Sequence, residues 1–211
     1  MTQLVRVIMM NMITAPTRSR GLNAGVAVLA VLAVFAASGG VRKLAAQDRR
    51  AQDTEIFRQI ATVLQHPRCM NCHTRAEYPR QGSDRHRHTM NVVRGPTDHG
   101  ASGLHCSACH QSVNQAASGV PGAQDWHLAP LRMAWEDLTV GDLCRALLDP
   151  AKGGMKADQF VPHFQTGLVR WAWSPGFDQR RQERETPPIP YEQFIALTRQ
   201  WVAQGTPCPN S

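Results

Sequence analysis

The chain has 211 residues, 42% hydrophobic and 18% charged, with a formal charge of +7, six cysteines and nine histidines. That charge does not describe a nucleic-acid binder: Arg6, Arg18, Arg20, Arg42 and Lys43 all precede the first acidic residue, Asp48, and the chain after Lys43 carries 18 basic against 16 acidic residues, a balance of only +2.

Arg18 and Arg20 stand before an uncharged run from Gly21 to Val41, whose apolar core, Ala24 to Ala37, is 14 residues long. A charged start, a short apolar core and small residues after it predict an export signal over residues 1–46, cut near Ser38 or after Ala46. The core is short of the about 20 residues that span a bilayer, which favours cleavage over the alternative, a retained amino-terminal anchor. Residues 47–211 are then one exported domain, soluble or anchored, in the periplasm.

From Arg50 to Gln65 the apolar positions Ile56, Ile60, Val63 and Leu64 have helical spacing and lead into Cys69-Met70-Asn71-Cys72-His73. A second copy of the same pattern, Cys106-Ser107-Ala108-Cys109-His110, occurs 37 positions later. C-x-x-C-H is the attachment signature of c-type haem: the two thiols bond the two vinyl groups and the adjacent histidine binds the iron. Two copies predict two covalent haems, held by Cys69, Cys72, Cys106 and Cys109 and ligated by His73 and His110. The competing reading is a four-thiolate zinc cage, which needs no histidine after each pair. An oxidising compartment also argues against free metal-binding thiols.

Thr74 to Pro130 reads as loop, rich in Gly, Pro, Asn, Asp, Ser and His, with the porphyrins expected to supply the core that side chains do not. Trp135 to Leu148 reads as a helix stopped by Pro150, or a shorter one capped by Asp137 or Thr139. A Trp-rich loop, Val169 to Gly176, and the run Pro187-Pro188-Ile189-Pro190 precede a last helix, Tyr191 to Gln204, ended by Gly205. Phe194, Leu197, Trp201 and Val202 share one face of it and are expected in the core, not as an electron relay. The predicted fold is all-α, a compact cytochrome c-like helical domain with two covalent haems and long irregular haem-wrapping loops. The arginines at Arg80, Arg85 and Arg87, and at Arg180, Arg181 and Arg184, read as solvated loop charges before docking patches. Cys144 and Cys208, the two cysteines outside the motifs, are expected to pair as a disulfide.

The sixth position of each iron decides between carrying electrons and doing chemistry. His86 to Asn91 offers Met90, with His88 as the alternative, for the first haem. Trp126 to Met133 offers Met133, with His127 as the alternative, for the second, and His105 beside the second motif permits a crossed arrangement.

The order His88-Thr89-Met90-Asn91-Val92-Val93-Arg94-Gly95-Pro96, the second C-x-x-C-H, Gly119 to Ala123, and Trp126-His127-Leu128-Ala129-Pro130 resembles a family of small exported dihaem c-type cytochromes. Its members are often labelled isoquinoline 1-oxidoreductase subunit. The resemblance continues through Leu143-Cys144-Arg145, Trp171-Ala172-Trp173 and Cys208-Pro209. It implies an electron acceptor for a dehydrogenase or molybdenum hydroxylase, passing electrons towards the respiratory chain through another cytochrome or an oxidase. No catalytic cluster stands apart from the haem motifs, so the expectation is an electron-transfer protein. The alternative is a haem enzyme of the dihaem peroxidase type with one open or labile iron site.

Overall fold

The computed structural model describes residues 47, 51–153, 155–178 and 180–211. The export signal or anchor expected over 1–46 lies outside them, and among the described residues no helix is long and apolar enough to cross a membrane.

Helix α1 (51–64) forms where the periodicity predicts it, with Ile56, Phe57, Ile60, Ala61, Val63 and Leu64 all buried. Its end passes at once into α2 (Pro67–Met70), which has proline at its first position, where no backbone donor is needed, and His66 as the residue that caps it. The first C-x-x-C-H therefore begins inside a helix.

The all-α expectation is overturned between the two motifs. The described residues hold six helices and two antiparallel sheets. Strand β1 (Arg80–Gln81) pairs with β2 (His86–Arg87), and β3 (Gly100–Ala101) with β4 (Leu104–His105). What was expected as long haem-wrapping loop thus contains two hairpins. The physical reason is local turn chemistry. Gly103, at φ +83°, completes a two-residue turn that returns the chain antiparallel, and Gly100, at φ +96°, is packed against the Leu104 carbonyl where a side chain would clash.

Helix α3 (Val140–Leu148) starts five residues later than the longer of the two expected helices, capped by the Thr139 hydroxyl, which accepts from the Asp142 amide at 3.1 Å. Asp137 takes a left-handed backbone, φ +61°, which interrupts the helix and leaves Trp135 outside it. Short helices α4 (Phe160–Phe164) and α5 (Gly167–Arg170) come next, then α6 (Tyr191–Ala203), whose end is marked by Gly205 at φ +80°.

The core lies where α1, α3, α4 and α6 meet. Trp201 of α6 packs on Phe57 of α1 at 5.0 Å and on Phe160 of α4 at 5.3 Å between ring centroids, and donates its indole N–H to the Pro207 carbonyl. Phe194 and Trp201 are buried as expected, each such side chain contributing about 1.5–3 kcal/mol in area terms. Cys144 of α3 is bonded to Cys208 in the carboxyl-terminal tail, fastening that tail over α3.

Candidate cofactor site

Both motifs fold into the same turn. In the first, the Cys72 and His73 amides donate to the Cys69 carbonyl at 3.1 and 3.0 Å; in the second, the Cys109 and His110 amides donate to the Cys106 carbonyl at 3.2 and 2.9 Å. One helical turn places residues three and four apart on one face, so each pair of thiols and its histidine form one set. The motifs are also neighbours. Burial, followed by the Cys72 thiol, pushes the Cys69 thiol up to about 12; burial, followed by Cys106 of the other motif, pushes Cys72 up to about 11. Cys106 is raised by burial, and Cys109 is exposed.

No three of these four thiols lie within 4.8 Å of one another, so they do not form the four-thiolate cage of the zinc reading. They are free and divided between two turns.

The two histidines are held alike. The His73 Nδ1 lies 2.9 Å from the Met133 carbonyl and the His110 Nδ1 lies 2.7 Å from the Pro121 carbonyl. A carbonyl only accepts, so each Nδ1 is the donor and each Nε2 keeps its lone pair for a metal. A tryptophan is stacked on each imidazole: Trp135 on His73 at 3.3 Å and 11°, Trp126 on His110 at 4.4 Å and 3°. Burial pushes His73 down to about 3 against the opposing effect of the Met133 carbonyl, and lowers His110 likewise against the Pro121 carbonyl. Both stay neutral at physiological pH, the form that binds metal.

The supports for these rings come from distant segments. Trp135 donates its amide to the His73 carbonyl at 3.1 Å. On the other side, Asn114 accepts from the Gly122 amide at 3.0 Å and the Trp171 indole at 2.9 Å, and Trp171 meets Trp126 edge-on at 4.7 Å. Gly122 is required there, because a Cβ would run into the Val113 carbonyl. Asn114 thereby sets both the turn that presents the Pro121 carbonyl and the tryptophan that backs Trp126.

Each motif has an arginine with an unpartnered buried nitrogen beside it. Arg94, 3% exposed, donates to the Thr74, Ala76 and Ala129 carbonyls and pairs with Asp98, yet its Nε has no partner. It is close enough to Cys72 to draw that thiol's pKa back down and to lower that of His73 further. Arg184 donates to the Gly119 carbonyl at 2.6 Å, leaves one Nη without a partner, and likewise lowers His110. Paired thiols, a free imidazole Nε2 and an unpaired guanidinium nitrogen are the groups that a covalent haem with its propionates would use, and the residues fit it at both motifs.

The candidates for the sixth position are dispersed. Met90 is 78% exposed with a left-handed backbone, φ +64°. Met133 lies beside the first motif, its own carbonyl being the acceptor for His73. His127 is grouped with His99 and Asp125, its ring stacked on His99 at 4.8 Å. His105 is exposed and lines an open cavity of about 640 Å³ together with His99, His110 and Trp126. His88, expected beside the first haem, stands instead 6.0 Å from the His110 ring.

Sequence reasoning missed Trp126 and Trp135 as ring supports, Arg94, and the half-buried His163, which is near enough to lower His73. It also read Arg80 and Arg85 as solvated. Both are half-buried and reach the Glu136 carboxylate, at 3.1 Å from Arg80 and 2.7 Å from Arg85; the exposed Arg75 approaches it as well, and the same carboxylate accepts from the Thr74 hydroxyl next to His73. No family model, curated protein or solved structure matches this chain.

Proposed function

We propose that this protein is a dihaem c-type cytochrome that carries electrons in the periplasm. The observation that carries the reading is the paired treatment of His73 and His110: each has Nδ1 tied to a backbone carbonyl, a tryptophan stacked on the ring and Nε2 left as the donor. Haem iron, when bound, supplies a one-electron couple. The chain's own residues then do four things. Cys69, Cys72, Cys106 and Cys109 anchor the groups, His73 and His110 ligate them, the carbonyls of Met133 and Pro121 fix the tautomers and increase imidazole basicity, and Arg94 and Arg184 balance carboxylate charge. The nearness of Cys72 to Cys106 supports transfer between the two centres.

The electron source suggested by the family resemblance is a periplasmic dehydrogenase or molybdenum hydroxylase, with another cytochrome or an oxidase as the acceptor. The test is to export the chain from a strain with haem-attachment machinery and count covalent haems by intact mass and pyridine haemochrome. Two are expected, falling to one in Cys69→Ala/Cys72→Ala and in Cys106→Ala/Cys109→Ala. A chain with no covalent haem refutes the proposal. Carbon monoxide that binds the reduced wild type at full occupancy would replace the carrier by the peroxidase-type reading.

A further inference from the structure

We infer that His88 is the second axial ligand of the iron bound by His110, so that the hairpin attached to the first motif completes the second centre; this rests on the dihaem reading. The His88 and His110 rings are 6.0 Å apart between centroids with their planes at 69°. Two imidazoles bound to one metal ion from opposite sides, through metal–nitrogen bonds of about 2 Å, have centroids roughly 6 Å apart. The spacing is therefore that of a ligand pair.

The nitrogen chemistry agrees. His88 has its Nδ1 2.7 Å from the Thr89 carbonyl, as His110 has its own 2.7 Å from the Pro121 carbonyl. Both rings therefore donate through Nδ1 and keep a lone pair on Nε2. Nδ1 is also the carbonyl-bound nitrogen at His73, His99 and His127, so this assignment leaves His88 and His110 able to ligate through Nε2, and it is the ring spacing that pairs them.

The backbone explains why His88 crosses over. The hairpin β1–β2 hangs from the first motif through the Arg80 amide, which donates to the Asn71 carbonyl at 3.1 Å. His88 comes directly after β2, its amide fixed to the Pro79 carbonyl at 2.9 Å, and Thr89 is held by the Gln81 side chain at 3.1 Å. The ring is thus carried on a paired, anchored element and is half-buried, while Met90, two residues on, is exposed. A second imidazole gives a lower potential than a methionine thioether would, so the second centre is the lower-potential one if the first has a methionine.

The experiment uses the full exported chain with both haems counted by intact mass, and reads ligation by electron paramagnetic resonance and near-infrared magnetic circular dichroism of the ferric protein. In wild type the iron absent from Cys106→Ala/Cys109→Ala gives a low-spin bis-imidazole signal. His88→Ala converts that one equivalent to high spin and makes it bind carbon monoxide when reduced, and added imidazole restores the low-spin signal. His88→Met, the variant that keeps a ligand and the fold, replaces the bis-imidazole band with a methionine–histidine band and raises the potential of that haem alone. Two haems with an unchanged bis-imidazole signal in both variants, or a change confined to the other iron, overturns the assignment while the dihaem reading stands. A chain without covalent haem overturns both.

Discussion

Replacing Cys144 and Cys208 together by alanine removes a cross-link that closes a loop of sequence separation 64. In the chain-entropy model a loop of that size is worth about 4 kcal/mol, because the reduced unfolded chain regains the conformations that the bond forbids. Alanine at the fully buried Cys144 leaves only a sulfur-sized gap, so nearly all of the expected change is the cross-link itself. For a domain of this size 1 kcal/mol moves the midpoint of thermal unfolding by about 2–4 °C, which gives a fall of about 8–16 °C. Guanidinium unfolding of wild type and double variant, followed by far-ultraviolet circular dichroism, measures the difference. The dependence on denaturant should also steepen, since the uncrosslinked unfolded chain exposes more surface. Two contacts would survive the substitution: the Trp201 indole on the Pro207 carbonyl at 3.0 Å and Arg145 on the Pro209 carbonyl at 3.2 Å. A loss below about 1 kcal/mol with an unchanged slope would mean that these contacts already restrain the tail in the denatured ensemble, and the entropic reasoning would be refuted.

Glu136 supplies a pH dependence. Burial alone would raise its carboxyl, but the Arg75 amide, the Thr74 hydroxyl and the Arg80 and Arg85 guanidinium groups outweigh burial and hold it below the usual range. A lowered folded value means that its stabilisation is complete above the unfolded value of about 4.3 and is lost as pH falls through the folded one. Glu136→Gln should therefore be less stable than wild type at pH 7, with the gap narrowing below about pH 4; urea midpoints that keep a constant gap down to pH 3 would sink this account. Gly141→Ala should destabilise by about 1–3 kcal/mol, because its Cβ would stand 2.5 Å from the Pro209 carbonyl and a backbone atom under a disulfide-held tail does not yield. A melting temperature equal to or above that of wild type would show that the tail is not seated on α3.

The helices were legible because long apolar periodicity is a local signal. Ile56, Ile60, Val63 and Leu64 mark α1, and Phe194 and Trp201 mark α6, and all six are buried in the core. The two hairpins left no such signal. A strand of two residues has no alternation to read, and only the Gly103 turn hints at the reversal between β3 and β4. The start of α3 was decided by the left-handed Asp137, which periodicity does not register.

By itself the sequence determined the chemistry that is covalent or strictly local: two C-x-x-C-H units, each compressed into one turn by its own spacing, and two remaining cysteines, which the structure joins. The tertiary structure decided everything that links those units to the rest of the chain. The acceptors for His73 and His110 are the backbone carbonyls of Met133 and Pro121, 60 and 11 residues away, and a carbonyl carries no mark in the sequence. The cations gathered on Glu136 come from 51 to 61 residues upstream, and His88 reaches the second motif from a hairpin tied to the first. Local spacing fixes which donors share a turn, because a helical turn has one geometry; which carbonyl, ring or charge faces that turn depends on how separate segments pack, and that packing is non-local.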